Sequence, residues 1–517
     1  MSFCAASLSV QDGALSFLDQ FEATELADQL GRRAATAYHR YSIESVTVGP
    51  RRKLPHPFKP RVRKVGLAKI LLKELLHYNL RLRKGEYKRA FLSRPCIYGV
   101  FGGRLGGFHP IQEKCTGCMR CVQEYPGVCS VDRNPEFYKY VDSYWSSEGD
   151  ATVSGSPMAT VSYEAETGKI PIKGMGYKGP FAGPGWDSIW TDMSEIVRPT
   201  RDGVYGREFI STVVDVGSKP TSLNLAERDH PRFSRTIEVP LPIIFDYLPT
   251  QLNGRSILAS VAASAARTGT YFVADSTQAN QLSETQRSPL IPLISDTDMN
   301  GNPLIREAPM IELETYLAPF FEGNERERLG ISPDTPVAVR LPLSPNTAET
   351  AVDLVKAGVD VIHLTANYHG RGWDEANPKF VKDLIQEVHG KLVSESCRDQ
   401  VTLIASGGIT RAEHVPKAII CGADLVAIDT TILIALQARF QGECVSPKSG
   451  RIIEETFDSS WGEQRLVNLL ASWHDQLIEI LSAMGIRDVR RLRGDIGRAM
   501  FNDDLEKEAF RDIARRN

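Results

Sequence analysis

The sequence predicts an α/β chain built on a (β/α)8 TIM barrel, and three observations predict it. Between about residues 240 and 440, short β-branched runs alternate with longer helical patterns. This is the rhythm of parallel strands joined by crossover helices. Five or six such units are clear, and weaker strands near Leu290 and Met310 bring the total toward eight. No G-x-G-x-x-G follows an early strand in this zone, which sets the doubly wound dinucleotide fold aside.

The first strand runs through Leu241-Pro-Ile-Ile-Phe245, followed by a helix from Arg255 to Arg267 and a strand from Thr270 to Ala274. After the two weaker strands come Pro336 to Leu341, a helix Thr347 to Ala357, the strand Val361 to Leu364, and a helix Pro378 to Val393. The series ends with Val401 to Ala405, a helix Arg411 to Cys421, Leu425 to Ile428, and a helix Thr431 to Ala438. Beyond about residue 455, Leu466, Leu469, Leu470, Trp473, Leu477 and Leu481 share one helical face, so a helical tail is expected. Residues 136–235, rich in Gly, Ser, Tyr and Trp, read as irregular strand and loop. The expected division is 1–135, a basic cysteine-bearing front; 136–235, the lead-in; 236–445, the barrel; and 446–517, the helical extension.

Composition narrows the function classes. The 517 residues carry 61 Lys plus Arg against 64 Asp plus Glu, a net charge of −3, with 42% hydrophobic residues. A near-neutral, ordinarily apolar chain is not disordered and does not coat nucleic acid. No apolar run approaches the roughly 20 residues of a spanning helix, and the first residues lack a basic segment ahead of an apolar core. The neutrality hides a cancellation: residues 51–90 hold 14 bases and two acids, Glu74 and Glu86. Arg51 to Pro60 reads as a proline-stiffened arm, and Leu67 to Leu82 as a basic amphipathic helix. Such a stretch offers a peripheral contact with an anionic membrane, against the plainer reading that it packs on acidic parts of its own chain or a partner.

Cys96, Cys115, Cys118, Cys121 and Cys129 fall within 34 positions, whereas Cys4, Cys397, Cys421 and Cys444 are scattered. That distribution suits metal or redox work in a reducing, cytoplasmic compartment rather than a disulfide framework. Cys115-Thr-Gly-Cys118-Met-Arg-Cys121 is a C-x2-C-x2-C loop, with Gly117 relaxing the backbone and Lys114 and Arg120 offsetting negative charge. Three thiolates at this spacing aim at one centre, as in ferredoxin-like iron–sulfur segments. The expected ligands of a 4Fe–4S cluster are Cys115, Cys118, Cys121 and Cys129, with Cys96 as the alternative to Cys129. Zinc and plain thiols are the competing readings, and zinc more often takes two separated C-x2-C pairs.

At the other end of the chain, Ser406-Gly407-Gly408-Ile409 follows one apolar strand, and Asp429-Thr430 follows the next. In a (β/α)8 barrel, the loops after the last two strands commonly hold a phosphate. Small residues let backbone N–H groups approach it. Arg340, at the end of an apolar strand, is a candidate fixed cation at the mouth. Its plain alternative is a structural ion pair.

These segments together resemble the FMN-binding barrel of the glutamate synthase family. The resemblance runs from about Leu241 to Arg439 and into the tail. Val337 to Leu341 is similar to the family strand bearing a flavin-contacting lysine, here Arg340. Ala357 to Leu364, with Asn367-Tyr-His-Gly370-Arg-Gly372, is similar to its next strand and glycine-rich loop. Ile404 to Thr410 and Gly422 to Leu436 resemble its two FMN-phosphate segments. The resemblance implies FMN held by Arg340, Ser406, Gly407, Gly408, Asp429 and Thr430, with electrons entering through iron–sulfur centres. In complete members, ammonia released from glutamine forms 2-iminoglutarate, which reduced flavin converts to glutamate.

Four departures mark this sequence. Only Cys444 stands where the family carries a three-cysteine motif after the barrel. Met1-Ser-Phe-Cys4 supplies no N-terminal catalytic cysteine. Asp275-Ser-Thr-Gln-Ala-Asn280 replaces a Ser-Gly-Glu-Gly substrate loop. Asp429 replaces a phosphate-loop glycine. The expectation is an FMN-dependent oxidoreductase that exchanges electrons with its own cluster and acts on a small imino, oxo or amino acid-like substrate. His363, His369, Arg371 and Asp275 are its candidate proton donors or substrate clamps. A ferredoxin-like carrier or partner redox subunit would feed it, in an oligomer. The rival readings are the barrel subunit of an N-methylglutamate synthase-like complex and an electron-transfer subunit without flavin.

Overall fold

The computed structural model describes residues 43–68, 96, 98–101, 109–115, 117–137, 155–170, 185–191, 210–219, 235–248, 255–295, 303–314, 331–374, 378–442, 450–453 and 457–501. The amphipathic helix expected to reach Leu82 lies almost wholly outside these residues, as do Cys4 and Cys444.

The predicted barrel is present. Its strands are β1 (Ile243–Phe245), β2 (Phe272–Asp275), β3 (Leu290–Ile294), β4 (Ile311–Leu313), β5 (Val337–Pro342), β6 (Val361–Thr365), β7 (Thr402–Ser406) and β8 (Leu425–Ile428). They pair in parallel in chain order, and β8 closes on β1 through Val426↔Ile243, Ala427↔Ile244 and Ile428↔Phe245. Strands such as Leu290-Ile-Pro-Leu-Ile294 and Leu425-Val-Ala-Ile428 are buried throughout. A parallel strand covered on both faces reads as a continuous apolar run, which is why the sequence pattern found them.

The longer helices, in chain order, are α1 (Gly155–Thr167), α2 (Arg255–Thr268), α3 (Thr347–Lys356), α4 (Val381–Ser394), α5 (His414–Cys421), α6 (Thr430–Ala435) and α7 (Ser459–Ala483), with short helical turns at Arg120–Glu124, Ser276–Ala279 and Leu304–Glu307. The predicted face of the tail is buried along α7, which packs against α2 and α1. Helix α1 corrects the reading of the lead-in as strand and loop. Met158, Val161 and Ala165 recur at helical spacing and are buried, and Glu164 accepts the Trp473 Nε1–H at 2.9 Å. Tertiary burial thus sustains a helix in a segment rich in small residues. The strands Val214–Gly217 and Thr236–Val239 form a hairpin under the barrel. Thr402, the first residue of β7, bonds both Gly217 N–H and Gly217 C=O, at 3.0 and 2.8 Å.

Buried polar groups on α7 tie the front of the chain to the barrel. Asn468 accepts Val46 N–H at 3.1 Å and donates to Val46 C=O at 2.8 Å and Ala165 C=O at 3.0 Å. The Arg51 guanidinium lies 4.9 Å from the Phe457 ring centre and 5.5 Å from that of Trp461. Farther along the basic arm, Lys59 pairs with Glu136 at 3.6 Å and Arg61 with Asp132 at 3.4 Å. These contacts support the reading in which this arm packs on its own chain.

The cysteine-bearing front has its own small core. Strand Phe58–Val62 pairs antiparallel with Cys129–Arg133, and Leu67, Val100 and Phe101 are buried beside Cys96, Cys115, Cys121 and Cys129. Among the described residues, no helix is long and apolar enough to cross a membrane.

Candidate functional site

A charged network occupies the inside of the barrel. Arg340 on β5 donates from Nε to Glu312 Oε1 on β4 at 2.6 Å, and from Nη2 to Asp246 Oδ1 at 2.5 Å. Asp246 directly follows β1, which lies opposite β5 in the closed order, so the arginine spans the barrel. Glu312 Oε1 also meets His363 Nδ1 of β6 at 2.9 Å. All four side chains are nearly or fully buried. Burial pushes the Glu312 carboxyl up, but the charge of Arg340 and the contacts of His363 together overcome it and bring its pKa down to about 2. An ionised carboxylate only accepts, so the His363 ring carries its proton on Nδ1. Its Nε2 makes no hydrogen bond and lies 3.9 Å from Asp246 Oδ2.

The two phosphate-type loops converge as predicted. Thr431 Oγ1 donates to Ile409 C=O at 2.6 Å, joining the loop after β7 to the loop after β8. Gly407 and Gly408 have φ of +96° and +71°. A Cβ on Gly408 would lie 2.6 Å from Gly370 Cα. The loops after β6 and β7 therefore touch through backbone, and only glycine permits it. Trp186, from the lead-in, donates to Gly408 C=O at 3.2 Å and stacks on His414 with ring centres 5.6 Å apart. Sequence reasoning missed this cover. Lys417 Nζ, buried, donates to Trp186 C=O at 2.8 Å and anchors it from α5.

Asp429 caps α6, accepting Thr430 N–H and, at 3.1 Å, the Thr430 hydroxyl. Burial and the Asp246 charge push its carboxyl up to about 7, with the Thr430 hydrogen bonds offsetting only part of the rise. A carboxyl near that pKa is accessible in its neutral form, which carries an O–H donor. The loops after β7 and β8, with two side-chain-free glycines and an Asp429 carboxyl that can take up a proton near neutral pH, offer donors that fit the phosphate end of FMN.

The remaining predicted residues separate. Asp275 accepts Gln278 N–H at 2.8 Å as a helix cap and the Tyr247 hydroxyl at 2.9 Å. Arg371 is exposed and reaches Pro378 C=O at 3.3 Å. His369 is half-buried in the loop after β6, its backbone N–H on Asn367 Oδ1 at 2.9 Å. Of the four proposed proton donors or clamps, His363 alone joins the interior network. Asp246 and Glu312 were not singled out from sequence, although each is a carboxylate set in or beside an apolar strand and so requires a buried partner.

In the front segment, a small, partly open recess is lined by Cys96, Cys115, Cys118 and Cys121, walled by Val100 and Phe101. Gly117, at φ +73°, faces the Phe58 ring, 2.3 Å from where a Cβ would sit. Burial pushes the Cys115 thiol up to about 11, whereas the hydrogen bond with Cys129 brings Cys121 down to about 7. The described cysteines are all free thiols. Among the described residues, no three His, Cys, Asp or Glu side chains converge on a point suited to one metal ion. A polynuclear cluster instead needs thiols spread around a hollow, and the recess fits that arrangement.

The closed parallel barrel, with converging loops at the C-terminal ends of β7 and β8, defines the class of (β/α)8 barrels that bind ligand at that mouth. Residues 327–487 match the model described as the conserved region in glutamate synthase. It is 22% identical over 449 residues to an archaeal-type glutamate synthase (NADPH) of Dehalococcoides mccartyi, covering 74% of this chain and 86% of that protein. With the archaeal glutamate synthase (NADPH) of Archaeoglobus fulgidus it shares 23% over 472 residues, 78% of this chain and 89% of the relative. Among solved structures, a mandelate oxidase variant with an FMN monooxide adduct aligns with a TM-score of 0.39 at 14% identity, covering 72% of this chain and 97% of that one.

Proposed function

We propose that the protein is an FMN-dependent iron–sulfur oxidoreductase of glutamate synthase type. In this reading it moves electrons between a 4Fe–4S cluster at the cysteine recess and FMN at the barrel mouth, reducing or oxidising a small imino, oxo or amino acid-like substrate. The observation that carries the reading is the likeness to archaeal-type glutamate synthases over 74–78% of the chain. The chemistry of the two sites supports it.

FMN supplies hydride exchange with a substrate and single-electron exchange with a carrier. The chain's own residues do the rest. The Ser406–Thr410 and Asp429–Thr431 loops hold the phosphate end, with Asp429 neutral. Arg340, clamped by Asp246 and Glu312, is a cation fixed in place before any ligand arrives, and such preorganisation costs no rearrangement during reaction. His363 keeps Nδ1–H on Glu312, leaving Nε2 to hold or release a proton inside the barrel. Trp186 excludes water above Gly408. No nicotinamide fingerprint stands in the sequence, so a ferredoxin-like carrier or a partner redox subunit in a cytoplasmic assembly is the expected electron source.

The test is anaerobic purification of the full chain, an absorption spectrum, acid extraction of flavin, and iron and sulfide analysis. Bound FMN that is reduced through the cluster, then reoxidised by a member of an imino- and oxo-acid screen, is the expected result. Cluster absorption with no releasable FMN would instead make the chain an electron-transfer subunit.

A further inference from the structure

We infer that the fourth cluster ligand is Cys96, completing the set Cys96, Cys115, Cys118 and Cys121, and that Cys129 lies outside it. This assignment rests on the iron–sulfur reading above and differs from the set that sequence spacing favours.

Two features of the front segment carry it. First, the recess is lined by Cys96, Cys115, Cys118 and Cys121, and Cys129 is not among the residues around it. Cys96 is returned to the loop by the turn Gly99 N–H to Cys96 C=O at 3.3 Å and by Ile111 N–H to Val100 C=O at 2.7 Å. Second, Cys129 has little room to move. Its N–H is bonded to Tyr125 C=O at 3.0 Å, and it pairs with Val62 at the start of its strand. Bringing Cys129 round to the recess would break that strand end, whereas Cys96 already faces it.

The experiment compares full-length wild type, Cys96→Ala, Cys96→Ser and Cys129→Ala, all purified anaerobically. Iron and sulfide content and the EPR spectrum of dithionite-reduced protein are measured, with circular dichroism reporting the fold. The expected result is that Cys129→Ala keeps the iron, sulfide and EPR spectrum of wild type. Cys96→Ala loses most of its iron while the barrel stays folded. Cys96→Ser, which offers an oxygen ligand, retains part of the cluster with altered g-values. Loss of iron in Cys129→Ala, or wild-type iron and EPR in Cys96→Ala, would overturn the assignment. A wild-type chain carrying zinc, or no iron and sulfide, would overturn the cluster reading itself, a result separate from any difference between the variants.

Discussion

Asp429 makes the most demanding prediction. Where the family places glycine, this chain places a carboxyl that shares its hydrogen bonds with Thr430 and whose pKa is pushed up to about 7. If FMN requires that carboxyl neutral, each pH unit above 7 costs about 1.4 kcal/mol of binding, roughly a tenfold loss of affinity. At pH 8.5 the wild type should therefore bind FMN about 30-fold more weakly than its low-pH limit. Asp429→Asn keeps an acceptor for Thr430 and an N–H2 donor for phosphate but carries no charge. It should match the wild type near pH 6.5 and bind about 30-fold more tightly at pH 8.5. Quenching of flavin fluorescence on titration into apoprotein measures both. The lower pH limit is set by the ligand, because a phosphate monoester takes up its own proton near pH 6. Riboflavin, which lacks the phosphate, is the control and should show far less pH dependence. Wild-type affinity for FMN that is flat or rises across pH 7, or a slope that survives in Asp429→Asn, would refute the reasoning.

The interior network and the glycine pair give three more expectations. Arg340→Ala leaves Asp246 and Glu312 buried without their cation and should destabilise the chain by roughly 3–5 kcal/mol, read as a shift in the urea midpoint; an unchanged midpoint would mean that the network carries little energy. Glu312 has its folded-state pKa lowered from 4.5 to about 2, so its contribution is present above pH 4.5 and is lost as pH falls through 2. Glu312→Gln should remove about 3 kcal/mol of that acid-side slope, measured as unfolding free energy from pH 6 to pH 2. Gly408→Ala places a Cβ 2.6 Å from Gly370 Cα at φ +71°. It should cost about 1–3 kcal/mol and weaken FMN more than riboflavin in the same titration.

The barrel was legible because its strands are buried on both faces, so Thr402–Ser406 and Leu425–Ile428 stand out as apolar runs without knowledge of their partners. The phosphate loops were legible for a similar reason: glycine after a strand and before a helix is a local signal. Helix α1 was hidden because its stability comes from α7, through Trp473 on Glu164 and the buried Met158, Val161 and Ala165, rather than from propensity. Arg340 drew attention as a charge in an apolar strand. The same rule applied to Met310-Ile-Glu-Leu313 would have found Glu312. The partner of Arg340 across the barrel lay out of reach, since that contact joins residues 94 positions apart. The cysteine motif located the front site, but spacing alone does not report that Cys129 is committed to a strand.

The network also explains how the chain tolerates an aspartate where the family has glycine. Two carboxylates, Asp246 and Glu312, face one guanidinium, Arg340, so their combined formal charge is negative. Asp246, on the neighbouring strand end, is the charge that Asp429 feels: after burial, it is the largest influence raising the Asp429 carboxyl. The substitution at position 429 is thus electrically subordinate to a residue on β1, and the two should be tested together. Asp246→Asn retains an acceptor for Arg340 Nη2 and Tyr247 N–H while removing the charge. The Asp429 carboxyl should then ionise at lower pH, and the decline in FMN affinity should begin at lower pH than in wild type. An onset that stays near pH 7 in Asp246→Asn would show that burial alone sets the proton on Asp429, and would detach the phosphate loop from the network inside the barrel.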